Sequence, residues 1–153
     1  MADPDDIRAW QRLSKRITTS GRLQEHDPAR LAAIGVRHVI NLALAEHPEA
    51  LPDAETAFAA QGIAYTHIPV PFDAPTEQHY RTFVAALDAD EEPVHVHCIA
   101  NWRVSAFFYR WHRDACGMAE PEARALMEQQ WSPGTNEHEN APTWAAFIAP
   151  REK

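Results

Sequence analysis

The chain has 153 residues, which fits one folded domain with its own core. Apolar residues make up 45% and charged residues 24%, the balance of an ordinary globular protein, and no run of 18 or more apolar residues could cross a membrane as a helix. The net charge of −8 argues against nucleic-acid binding, which needs clustered Lys and Arg, so any phosphate site must be local, built from backbone amides and an arginine. The acidic start, Met1 to Asp6, lacks the basic-then-apolar order of a signal peptide. Two cysteines, Cys98 and Cys116, are too few for a disulfide framework. A soluble cytoplasmic protein with free thiols is expected.

Ile7, Trp10 and Leu13 recur at three-residue steps in the opening segment, which reads as a short helix packed on the domain. Ile17 to Ser20 reads as a strand stopped by Gly21. Asp27-Pro28 starts a helix that Gly35 closes. Val36 to Leu42 is an apolar strand, Asp53 to Gln61 a helix ended by Gly62, and Ile63 to Val70 a further strand ended by prolines. Thr76 caps an amphipathic helix reaching Leu87, with Tyr80, Phe83, Val84 and Leu87 on one face. Pro93 to His97 is a strand, and Val104 to His112 a helix apolar nearly all round. Glu120 to Trp131 and Thr143 to Ile148 complete the helices. The expected organisation is one domain over 1–153, with 1–16 an N-terminal extension and 132–153 an irregular tail packed on the domain.

Strands alternating with helices predict a three-layer α/β sandwich with a central, mostly parallel sheet. Ligands of such sheets sit beyond the carboxyl ends of the strands, here after Val94 to His97 and after Ile68 to Val70. After the first of these strand ends runs Cys98-Ile99-Ala100-Asn101-Trp102-Arg103-Val104-Ser105. A helix start offers free N–H groups and a positive dipole end, which favour a bound oxyanion. Arg103, at the loop–helix junction, has the planar fork for a bidentate grip on a tetrahedral oxyanion. Ser105 could donate a hydrogen bond to the Cys98 sulfur.

His97-Cys98 followed by Arg103, on a strand–loop–helix unit, resembles the signature of the cysteine-dependent protein tyrosine phosphatases. The resemblance extends to ITTSGRL, VRHVINLA, IPVPFDAPT and HVHCIANWRVSAF, which stand in the order and spacing of a bacterial family of small phosphatase-like proteins, over roughly Ile17 to Trp144. It implies that Cys98 is the nucleophile of a cysteinyl-phosphate intermediate. The amides of Ile99, Ala100, Asn101, Trp102 and Arg103 would cradle the phosphoryl oxygens, with Arg103 clamping them and His97 holding the loop. Asp73 would be the general acid. The family signature has five residues between cysteine and arginine, and this chain has four. Aligned without a gap, Val104 falls where the arginine belongs and Ser105 where the following hydroxyl belongs. The loop has no glycine, and Asn101 is its one non-glycine that visits φ > 0 easily.

The expected function is hydrolysis of a phosphomonoester, on a phosphorylated small molecule or phosphoprotein, without metal or other cofactor and with no nucleic-acid or membrane partner. Two other functions fit the same residues: a rhodanese-like sulfurtransferase carrying a persulfide on Cys98, whose loops have about this length, and a catalytically silent binder of phosphate or phosphoproteins. Individual residues also have plainer readings. Cys98 can be a small buried apolar residue, Arg103 a surface arginine paired with carboxylates, Asp73 a turn former and Ser105 a helix-start hydroxyl. His95 and His97 share a strand face with Cys98 close by, yet no fourth ligand has a zinc-site spacing. Trp102 either covers the site or packs beneath it, and if exposed could stack on phosphotyrosine.

Overall fold

A computed structural model describes residues 2–150. The sheet is built from β1 (Gln11–Arg12), β2 (Ile17–Ser20), β3 (His38–Asn41), β4 (Ala64–His67) and β5 (Val94–His97), in the order β1-β2-β5-β3-β4. Only β1 runs antiparallel; β2, β5, β3 and β4 are mutually parallel. Ser20 and Asn41 both stand level with His97, so three strands end together and their loops converge.

Among the described residues six α-helices cover the sheet: α1 (Asp27–Ala33), α2 (Ala54–Ala59), α3 (Glu77–Asp88), α4 (Trp102–Arg110), α5 (Glu120–Glu128) and α6 (Ala141–Ile148). One turn of π-helix, Trp111–Ala115, extends α4. Ile17, Ile40, Val94 and Val96 point to one side of the sheet and form a core with Phe83, Phe107, Phe108, Met127 and Trp144. On the other side Val39 packs with Leu31, Phe58 and Ile63. The result is the expected three-layer, mostly parallel α/β architecture. Burying a side chain such as Phe107 or Trp144 is worth several kcal/mol, typically about 3–5 kcal/mol relative to alanine.

Local chemistry explains the element ends. The Thr76 hydroxyl accepts the His79 N–H (3.2 Å) while His79 Nδ1 accepts the Thr76 N–H (3.1 Å), a capping box. Gly35 and Gly62 take φ of 91° and 72° just past α1 and α2, the left-handed conformation that ends helices. One expectation needs correction. No helix forms among residues 2–16: Ala9 has φ 55°, and the chain turns into β1, which pairs Gln11 with Thr19. The three-residue apolar step is met instead by a loop that buries Ile7 beside Leu31 and stacks Trp10 on His95 (5.2 Å). Within the segment after 131, the helix expected at Thr143 to Ile148 starts two residues earlier, at Ala141, and buries Trp144 in the core.

Candidate active site

β5 lies between β2 and β3, so the residue after it sits at the middle of the sheet's carboxyl edge. That residue is Cys98, 1% exposed. Three contacts fix the loop behind it. The Cys98 N–H points to the Ser20 carbonyl (3.4 Å), and the Arg22 N–H donates to the Ile99 carbonyl (2.9 Å). Gly21 lies flush against this last group: a Cβ there would stand 2.5 Å from the Ile99 oxygen. Because Arg22 holds the Ile99 carbonyl, the Ala100 N–H of the same peptide plane points the opposite way.

Asn101 closes the loop at φ 67° and caps α4. Its Nδ2 donates to the Ala9 carbonyl (2.8 Å) and to Thr19 Oγ1 (3.0 Å), which ties the turn to the N-terminal segment and β2. The amides of Ile99, Ala100, Asn101, Trp102 and Arg103 donate to no acceptor among the described residues. Five successive N–H groups at a helix start are thus left free to donate.

The loop opens on a cleft of about 320 Å³. Cys98, Ile99, Ala100, Trp102 and Arg103 form one side. Leu44 and His47 come from the loop after β3, Phe72 from the turn after β4, and His138 from the segment before α6. Arg103 is 8% exposed and donates from Nη1 to the Val70 carbonyl (2.9 Å). Trp102 is half-buried, stacked on Trp131 (4.7 Å, 3°), and its carbonyl accepts the Trp131 indole N–H (2.9 Å). It therefore both packs against the core and lines the cleft.

Other expected site residues lie differently. Asp73 is exposed, outside the cleft lining, and makes no side-chain hydrogen bond among the described residues, although its neighbour Phe72 lines the cleft. Val104 is fully buried in the core, so Arg103, in the first turn of α4, is the arginine at the loop. The Ser105 hydroxyl donates to the Asn101 carbonyl (2.6 Å), the back-bond of a helical serine, and not to sulfur. His97 is buried with Nδ1 3.4 Å from the Cys98 carbonyl and Nε2 unpartnered. Burial pushes its pKa down to about 4, so it stays neutral at pH 7 and supports the loop by packing rather than charge. His95, wholly buried, bonds Thr18 Oγ1 (2.9 Å) and Ser20 Oγ (2.8 Å), which occupies both ring nitrogens. Among the described residues no three His, Cys, Asp or Glu side chains form a group that could hold a metal ion. Nor is any helix among them long and apolar enough to cross a membrane.

Sequence reasoning missed Gly21, Phe72, His47 and His138 at this site. Only Phe72 carried a signal, its place just beyond a parallel strand.

A model of the phosphatase-like domain of beta-lactamase hydrolase-like proteins matches residues 9–112, more than half of the chain. The chain belongs to this phosphatase-like family. A DUF442 protein from Shewanella putrefaciens CN-32, named as a phosphatase, is 28% identical with a TM-score of 0.80, over 95% of this chain and 94% of that chain. TpbA of P. aeruginosa, in complex with pTyr, is 17% identical with a TM-score of 0.72, over 97% of this chain and 86% of that one. The core catalytic domain of the PP-IP phosphatase SIW14 from S. cerevisiae is 12% identical with a TM-score of 0.71, over 93% and 85% of the two chains. These last two share the tyrosine phosphatase-like fold. No curated protein matches the chain.

Proposed function

We propose that this phosphatase-like protein hydrolyses phosphomonoesters through a phosphocysteine on Cys98. The observation that carries the reading is the row of five unpaired amides, Ile99 to Arg103, that follows Cys98 directly and runs into the start of α4. Such donors stabilise the equatorial oxygens of a transferring phosphoryl group, and in a water-poor cleft they do so strongly. Arg103 keeps Nε and Nη2 for the same oxygens while Nη1 holds the Val70 carbonyl.

The Cys98 thiolate attacks phosphorus, the ester P–O bond breaks, and the leaving oxygen takes a proton from Asp73. Asp73 stands outside the cleft lining, one residue after Phe72, so the step requires the Pro71–Ala74 turn to carry its carboxyl inward. Water then attacks the phosphocysteine, releasing phosphate and regenerating Cys98. The complex of TpbA with pTyr supports an aryl phosphomonoester or phosphoprotein as substrate. A cytoplasmic setting suits the unpaired thiols, Cys98 and Cys116.

A second reading, a sulfurtransferase with a Cys98 persulfide, is favoured by two observations. Only four residues separate Cys98 from Arg103, and no carboxylate lines the cleft. A silent phosphate-binding module remains the third. Hydrolysis of an aryl phosphate by wild type and by Cys98→Ser, in chelator and reductant, tests them. Turnover by wild type that falls at least about a thousandfold in Cys98→Ser is expected of the phosphatase. No wild-type turnover overturns it.

A further inference from the structure

Two side chains of the cleft have no part in the proposed chemistry. His47 follows β3, His138 precedes α6, and both line the 320 Å³ space beside Cys98 and Arg103. The same device orients each ring. His47 Nδ1 accepts the backbone N–H of Glu49 (3.0 Å), and His138 Nδ1 accepts that of Asn140 (3.0 Å). An Nδ1 that accepts carries no proton, so the proton of the neutral ring is on Nε2.

His138 is held further. Its own backbone N–H donates to Asn136 Oδ1 (2.8 Å), and its ring stands edge-on to Phe72 (4.9 Å, 84°) and Trp102 (6.2 Å, 90°). Neither Nε2 has a hydrogen-bond partner among the described residues. The cleft thus presents two N–H donors on a largely apolar wall that includes Leu44, Phe72 and Trp102.

The surrounding charge selects the acceptor. Glu46 beside His47, and Glu137 and Glu139 beside His138, are exposed carboxylates. None of them lines the cleft, whose one Lys or Arg, Arg103, is taken by the phosphoryl group, so a second anionic group on the ligand finds no counter-charge there, whereas a neutral carbonyl needs none.

We propose that His47 and His138 are specificity-determining residues that donate Nε2–H bonds to a neutral carbonyl or amide oxygen on the aromatic leaving group of the substrate. This rests on the phosphatase reading for the place of the phosphoryl group, but binding alone reads it out. Calorimetry on Cys98→Ser protein compares phenyl phosphate with its 3- and 4-carbamoyl and 4-carboxy derivatives. A carbamoyl ester should bind about fivefold tighter than phenyl phosphate, the scale of one neutral hydrogen bond, and the carboxy ester no tighter. His138→Phe should erase that preference, and His138→Gln, which keeps an N–H donor, should restore part of it. Equal affinities, a carboxylate preference, a preference that survives His47→Phe with His138→Phe, or no binding of any ester overturns the inference. Wild-type turnover of phenyl phosphate is a separate measurement: its absence with the binding preference intact contradicts the phosphatase reading alone.

Discussion

The two loops that bound the cleft are held in opposite ways. The loop after β5 is fixed behind every group it presents: Ser20 and Arg22 hold its backbone, Gly21 fits flush against the Ile99 carbonyl, and Asn101 reaches back to Ala9 and Thr19. Beyond Val70, the turn after β4 is held to the core through Phe72. The Phe72 carbonyl accepts the Trp144 indole N–H (2.6 Å) and its ring packs among Trp102, Trp131 and Trp144, while Asp73 stands free in solvent. Anion binding needs donors in place before the ligand arrives, because reorganisation during the reaction weakens them. A proton donor is needed only at the transition state, so its loop can move.

The comparison can be broken at several points. The largest effect concerns the buried floor beneath the rigid loop. Burial holds the His97 pKa near 4, below its unfolded value, so the unfolded chain binds a proton that the folded chain refuses. Stability that is present above about pH 6.5 should therefore be lost as pH falls towards 4, by about 3 kcal/mol from His97. Wholly buried His95 is shifted in the same direction and adds to the loss. Urea melts at pH 7 and pH 4.5 check it, and His97→Asn should flatten the slope.

Next comes the exposed turn. Asp73→Asn should lower kcat about a hundredfold, more for poor leaving groups than for good ones. An equal, small effect on all esters would move the proton source away from Asp73 and favour the persulfide reading. The last concerns the fit behind the loop. Gly21→Ala places a methyl against backbone that cannot yield cheaply, and should cost about 1–3 kcal/mol in a denaturant melt while weakening binding of inorganic phosphate. A variant as stable as wild type would show that the loop is not braced there.

Much of the fold was legible in the sequence because its signals are local. Thr76, Gly35 and Gly62 announce helix ends, and the VHVH strand shows itself buried by composition. Asn101 was legible for the same reason, as a residue type suited to φ > 0. Ser105 was ambiguous because a helix-start serine has two acceptors in reach, and the nearer carbonyl of Asn101 takes its proton. Of the cleft walls, Phe72 was signalled by its place just beyond a parallel strand, and the rest was illegible. His47 and His138 lie on two separate loops whose meeting follows from strand order and from the docking of α6, neither of which a single stretch encodes. The opening segment misled because a three-residue apolar step is not unique to helices, and Ala9 at positive φ cannot be foreseen from alanine's own preference.

The most direct test of the account is to mix wild-type protein with an aryl phosphate, quench in acid within a turnover, and weigh the peptide carrying Cys98. The account predicts a phosphoryl group on Cys98 that is absent from Cys98→Ser. Phosphate release with Cys98 unmodified, or a sulfur adduct from thiosulfate with no phosphoryl adduct from the ester, would contradict it.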